Sequence, residues 1–146
     1  MKLICKKFEE LTTRELYELL KVRSEIFVVE QNCIYQDMDD IDYKSIHVFY
    51  QNDNGRMIAY LRLFEKEDDS DTIQMGRVLT LEHGSGWGGK ILHAGVDIAK
   101  KCMRAKKIYI EAQKYAAGFY EREGFEICSE EFLEDGIPHV KMELVF

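Results

Sequence analysis

The chain has 146 residues, of which 46% are hydrophobic and 32% charged, and it carries a net charge of −7. A chain of this length suits one domain that buries a core without help from disulfides or metal. The acidic balance argues against nucleic acid as the main partner, because phosphate binding calls for a basic face.

No apolar run approaches the ~20 residues of a membrane span, and the N-terminal Met1–Lys7 is too short and too charged for a secretory signal. A cytoplasmic protein without membrane association is expected. Cys5, Cys33, Cys102 and Cys128 are scattered, with no spacing that suggests a zinc site, so four reduced thiols and no metal are expected.

In chain order, Leu3–Phe8 reads as a short strand. Thr12 followed by Glu15 is a capping box that opens a helix, in which Leu16, Leu19, Leu20 and Phe27 keep helical spacing. Gln31–Lys44 is polar, acidic and aperiodic, a long loop with room for one helical turn, and loops of that length are often functional. Ile46–Gln51 and Arg56–Glu65 read as strands joined by an Asn-Gly turn at Asn52–Gly55. Lys66–Asp71 reads as a charged turn and Thr72–Leu81 as a third long strand. A glycine-rich stretch then opens a helix whose apolar face holds Ile91, Leu92, Gly95, Ile98, Ala99 and Cys102. Lys107–Ala112 reads as a buried strand, and Ala116–Glu123 as a short helix capped by Gly124. Phe125–Cys128 and His139–Phe146 close the chain as strands. The order β-α-loop-β-β-β-α-β-α-β-β predicts one α/β domain (an α+β mixed sheet) over residues 1–146, with a parallel crossover around the glycine-rich stretch.

That stretch, Leu81-Glu82-His83-Gly84-Ser85-Gly86-Trp87-Gly88-Gly89-Lys90, joins a strand to a helix. Glycines allow a tight turn with bare N–H groups, and a helix start adds partial positive charge, so together they favour a phosphate. The bland alternative is a turn that binds nothing. Gly84 with Gly89-Lys90 matches most of a nucleoside-triphosphate loop, but Ile91 stands where a metal-binding Ser or Thr is needed. Gly84, Gly86 and Gly89 also fit a dinucleotide fingerprint, with Glu111 placed as the ribose acid; the chain is short for such an enzyme, and hairpin-length turns precede the loop.

The third reading is the pyrophosphate of coenzyme A. Here the sequence resembles the GNAT superfamily of N-acetyltransferases, whose loop runs Arg or Gln, two residues, Gly, one residue, Gly or Ala, then a helix. His83–Gly88 fits this in register, with His83 in place of the Arg or Gln. Gly76–Thr80 matches the strand that carries the pantetheine arm. Ala116–Phe125 resembles the second signature, in which a Tyr on a short helix faces the coenzyme sulfur. Phe27–Asp39, together with Asp135-Gly136-Ile137-Pro138-His139, looks like the ElaA-like subgroup.

The resemblance implies a single acetyltransferase domain using acetyl-CoA as cosubstrate and an amine of a small molecule or peptide as acceptor. It implies coenzyme contacts from Val78, Leu79, Thr80, His83, Gly84, Ser85, Gly86, Trp87, Gly88, Gly89, Lys90 and Phe119, and Tyr120 as general acid. Among the other residues, Glu30 is a candidate base or amine ligand, with Asp37 beside it in the acidic loop, and a solvated acidic surface is the plainer reading of both. Asp37, Asp39, His47, Glu111 and His139 are further candidates for the base, with a structural or exposed role the plainer reading of each histidine, and His139 is also a candidate on the acceptor side. Tyr35, in the loop, is placed to touch acceptor or coenzyme. Arg62 breaks an apolar strand and either orients a substrate carboxylate or pairs with an internal acid. A sheet edge offers a route to a homodimer. A CoA-binding sensor without turnover and an NAD(P)-dependent oxidoreductase are the competing functions.

Overall fold

A computed structural model describes residues 1–146. The sheet runs through β1 (Lys2–Lys7), β2 (Ile46–Gln51), β3 (Met57–Lys66), β4 (Asp69–Thr80), β5 (Lys107–Gln113), β8 (Ile137–Val145) and β6 (Glu126–Ile127), while β7 (Phe132–Glu134) also pairs with β8. Every pairing is antiparallel except β4 with β5, which the helix α2 (Trp87–Lys101) connects as the expected parallel crossover. A doubly wound dinucleotide fold needs several parallel neighbours, and this sheet has one such pair.

Two apolar layers hold the sheet between helices. Period-two alternation sends Ala59, Leu61 and Leu63 of β3 toward α2, and Tyr60 toward α1 (Thr13–Arg23), where it meets Leu19, Val22 and Phe49. α2 lies close on β3 because it carries Gly95: a Cβ there would stand 2.6 Å from Leu61 Cδ2 and 2.9 Å from Met75 Cε. The capping box forms as expected, with Thr12 Oγ1 accepting from the Glu15 amide and Glu15 Oε1 from the Thr12 amide.

Three features depart from the sequence expectation. α1 does not run on as an α-helix through Phe27; Ser24–Glu30 widens into a π-helix, a form rare elsewhere and frequent at functional sites. The charged turn shrinks to Glu67-Asp68, because β3 and β4 pair out to Lys66 and Asp69. An eighth strand, β7, forms a hairpin with β8 through Asp135-Gly136, both at positive φ as a two-residue turn between right-twisted strands requires.

The acidic loop folds inward. Arg23, fully buried, donates from Nε to Asp37 Oδ2 (2.9 Å) and from Nη1 to Asp42 Oδ1 (2.6 Å). Arg62 donates from Nη1 to Asp39 and Asp42 (2.8 and 2.9 Å) and from Nη2 to Asp39 (2.6 Å). Arg77 donates from Nε to Asp37 Oδ1 (2.8 Å), an oxygen that also accepts from Tyr35 (2.9 Å). Beneath them His47, fully buried, donates from Nε2 to the Asp42 carbonyl (3.0 Å) and accepts from the Tyr60 hydroxyl at Nδ1 (2.7 Å), so both ring nitrogens are satisfied in the neutral form.

This network makes the fold acid-sensitive. Burial holds the His47 imidazole below its ordinary value. Burial alone would push Asp39 and Asp42 up, but the Arg62 and Arg23 hydrogen bonds and charges outweigh it and hold both carboxyls below the usual range. In each case the unfolded chain takes up the proton first as pH falls, so stability is full near neutrality and declines in acid. The melting temperature should fall as pH drops below about 6.5, where an unfolded histidine charges, and more steeply below about 4. A pH series of thermal melts checks this, and a flat profile from pH 7 to 4 would contradict it.

Candidate functional site

β4 and β5 pair only at Thr72/Lys107, Ile73/Ile108 and Gln74/Tyr109. Beyond Gln74 the two strands separate, and a cavity of about 800 Å³ opens between them. Met75–Thr80 lines one side and Ile110–Gln113 the other. The cause lies in β4. Tyr60 faces Leu79 and Arg62 faces Gly76, so Arg77 and Val78 together oppose Leu61 in a β-bulge. Arg77 sits there at φ 54, a left-handed conformation that costs a non-glycine residue about 1 kcal/mol or more. Its guanidinium bonds to Asp37 anchor the residue in that conformation. Past Gln74, the edge of β4 that faces the fork has no strand partner.

At one mouth of the fork lies the glycine-rich loop. Gly84 and Gly86 adopt φ 80 and 85, and Gly86 caps α2 without any side-chain cap, so the first amides of a fifteen-residue helix have no internal partner. The first turn carries no acidic residue, which leaves the positive end of the helix dipole uncompensated. Ser85 Oγ donates to the Glu82 carbonyl and closes the turn. Gly88 faces the fork: a Cβ there would stand 3.4 Å from Phe119 and 3.8 Å from Thr80 Cγ2. Trp87 points elsewhere, packing on Tyr50 with ring centroids 5.1 Å apart and Lys90 Nζ 4.3 Å from its own ring centre.

The short helix α3 (Ala117–Glu121) brings Phe119 and Tyr120 to the cavity wall, edge to face with centroids 5.1 Å apart. No protein group hydrogen-bonds the Tyr120 hydroxyl, and burial, then the nearby Tyr115, pushes that phenol well above its ordinary value. The opposite mouth is acidic. Glu111 on β5 accepts a hydrogen bond from Tyr109 (2.9 Å), and Glu134, at the end of β7, lies 3.4 Å from His139 Nε2. Burial, then the Glu111 charge, pushes the Glu134 carboxyl up. Between the two mouths, Gln31 from the end of the π-helix and Gln113 from the end of β5 exchange a pair of amide hydrogen bonds (3.3 and 3.1 Å).

Val78–Thr80, His83, Gly88, Phe119, Tyr120, Tyr35, Arg62 and His139 all line this one cavity, although they span more than a hundred positions of sequence. Gly84, Ser85, Gly86, Trp87, Gly89 and Lys90 do not line it, and Glu30 and Asp37 are otherwise engaged. Glu30 accepts from His83 Nε2 (3.0 Å) with both side chains at least half exposed, and its carboxylate is not part of the cavity wall; a base there would stand outside the cleft. Asp37 is buried outside the cavity lining and gives both carboxylate oxygens to Arg23, Arg77 and Tyr35. Arg62 takes the second of its two expected roles, pairing with the internal acids Asp39 and Asp42. Sequence reasoning missed Glu134, Gln31, Gln113 and Arg77 as wall residues. The Asp135-Gly136 hairpin signal could have found the first of these.

Residues 14–146 match the family model described as Acetyltransferase (GNAT) domain. The chain is 36% identical to Protein ElaA of Escherichia coli over 138 residues, covering 91% of this chain and 89% of that protein. A crystal structure of an acyl-CoA N-acyltransferase from Pseudomonas aeruginosa superposes with a TM-score of 0.91 at 33% identity, covering 99% of this chain and all of that one. An aminoglycoside 6′-N-acetyltransferase complexed with coenzyme A shares the fold, with a TM-score of 0.74 at 10% identity over 97% of this chain and 96% of that one.

Proposed function

The chain belongs to the GNAT acetyltransferase family and is an acyltransferase, and from that premise we propose that it transfers an acetyl group from acetyl-CoA to a primary amine by direct attack on the thioester. The observation that carries this reading is the fork itself. An unpaired strand edge, a bare helix N-terminus and a free phenol converge on one cavity, and these serve the donor half of thioester aminolysis: coenzyme binding, oxyanion stabilisation and protonation of the leaving sulfur.

In this reading the α2 amides and the Gly84–Gly89 loop bind the coenzyme pyrophosphate. The free edge of β4 at Val78–Thr80 hydrogen-bonds the pantetheine arm and the thioester oxygen, an oxyanion-hole role. Gly88 keeps the loop low against Phe119 and Thr80, so the arm can pass from loop to strand. Tyr120, held protonated across neutral pH, donates to the sulfur as it leaves. Holding donor and acceptor together in one cleft can by itself contribute roughly 7–11 kcal/mol. The wall bearing Glu111 and Glu134 suits a cationic acceptor, a small-molecule or peptide amine.

Thermal unfolding with acetyl-CoA, CoA, ATP and NAD(P)H, each added alone, tests the donor. A ligand at 100 times its Kd stabilises by about 2.7 kcal/mol, roughly 5–10 °C for a domain of this size. Acetyl-CoA and CoA should give such a shift. A shift with NAD(P)H and none with CoA would overturn the reading. Binding of CoA with no amine-dependent release of its thiol would leave a CoA-binding sensor.

A further inference from the structure

Aminolysis needs an acceptor for the amine's proton, since a lysine-like amine is an ammonium at pH 7 (pKa about 10.4). We propose that His139 Nε2, backed by the Glu134 carboxylate, is that proton acceptor. The proposal rests on the acetyltransferase reading.

The geometry fixes the tautomer. His139 Nδ1 lies 2.7 Å from the Ile137 carbonyl, which can only accept, so Nδ1 carries a hydrogen. The basic lone pair of the neutral ring is therefore on Nε2. That nitrogen stands 3.4 Å from Glu134 Oε2 at the cavity wall. A proton taken up by Nε2 turns this contact between two acceptors into a charge-assisted hydrogen bond to Glu134. Glu111 stands on the same wall, and its negative charge adds to the pull on that proton.

The ring cannot turn away. His139 is 7% exposed, is clamped by the Ile137 carbonyl, and packs on Phe132 with centroids 5.9 Å apart. The Asp135-Gly136 turn sets the register in which Glu134 pairs with Ile137 and Phe132 with His139, so one hairpin positions base, carboxylate and packing ring together. No other histidine is placed for this task. His47 is sealed in the core, His83 lines the cavity at its exposed rim with its Nε2 already engaged by Glu30, and His93 pairs with Glu123 on the surface.

The ammonium gives one proton to Nε2, and its freed lone pair forms the N–C bond to the thioester carbon. On collapse the C–S electron pair passes to sulfur, which takes a proton from Tyr120. The amide nitrogen loses its second proton, which returns to the phenolate through solvent. His139 releases its proton to bulk water, so each turnover yields N-acetyl amine, CoA thiol and one proton.

The test compares amines of different basicity. Thiol release from acetyl-CoA is followed for the wild-type protein, His139→Asn and Glu134→Gln. The acceptors are butylamine and lysine amide, which are ammonium ions at pH 7, and methoxyamine, which is already neutral there. Asn keeps a donor for the Ile137 carbonyl and lacks Nε2. His139→Asn should lower kcat/KM about 10²-fold for the alkylamines at pH 7, with the gap closing as pH rises, and change methoxyamine less than about threefold. Glu134→Gln should lower kcat/KM for the alkylamines at pH 7 and leave methoxyamine within about threefold, because the proton taken up by Nε2 loses its carboxylate partner. An undiminished acetyl-CoA thermal shift in both variants shows that they fold. Wild-type rates in His139→Asn, or equal losses with all three amines, overturn the proposal and leave the acetyltransferase reading standing. No thiol release by the wild-type protein with any of the amines removes that reading, and the proposal with it.

Discussion

Tyr120→Phe should retain acetyl-CoA binding and lose about 10²–10³-fold in kcat, the usual scale for removing a general acid. The substitution deletes one oxygen that bonds to no protein group, so neither fold nor donor affinity has reason to change. What disappears is the hydrogen donor at the departing sulfur. A thiolate leaving into an apolar wall without a donor is a charge without solvation, and that cost falls in the transition state alone. The effect should therefore appear in kcat, with KM for acetyl-CoA and the acetyl-CoA thermal shift close to wild type. Phe119 packs edge-on to the Tyr120 ring, and the same contact holds the phenyl ring of the variant in place. Wild-type turnover by Tyr120→Phe would move the acid role to solvent.

Arg23→Met should destabilise the fold by about 3–5 kcal/mol, the range for breaking a buried ion pair from one side. Methionine fills the space but leaves Asp42 with Arg62 alone and Asp37 with Arg77 and Tyr35, both carboxylates deep in the protein. The loss should lower the melting temperature by roughly 6–20 °C and the urea midpoint with it. Lys101→Ala is the control, because its partner Asp97 lies on the surface and such pairs contribute about 0–1 kcal/mol. Equal stability of Arg23→Met and wild type would show that the network is dispensable to the fold.

The sheet and its helices were legible because each rests on a local signal. Alternation marks β3, the Thr12/Glu15 box marks α1, and glycines before Ile91 and Leu92 mark the start of α2. The glycine-rich loop was legible for the same reason, since turn, bare amides and helix start are adjacent in sequence. The charge network was not. Arg23 falls inside what reads as one continuous helix through Phe27, and Asp37, Asp39 and Asp42 look like a solvated run. Only the tertiary fold brings them to Arg62 and Arg77. The π-helix escaped because Phe27 and Ile26 fit an α period closely enough, and β7 because three residues with an acid at the end give no alternation to read. The acceptor side of the site suffers most from this, being assembled from the loop, β5 and the β7–β8 hairpin.

Arg77 belongs to two walls at once. Its backbone makes the bulge that parts β4 from β5, and its guanidinium holds Asp37 and Asp39 of the loop, of which Asp39 also lines the cavity. The bulged strand β4 and the 31–44 segment are therefore one mechanical unit, set when the chain folds. The 31–44 segment is long enough to act as a lid but is fastened as a fixed jamb. Little ordering remains to be done when an acceptor arrives, so selection among amines should come from the shape and charge of a preorganised opening, with no closing motion to commit the enzyme to one guest.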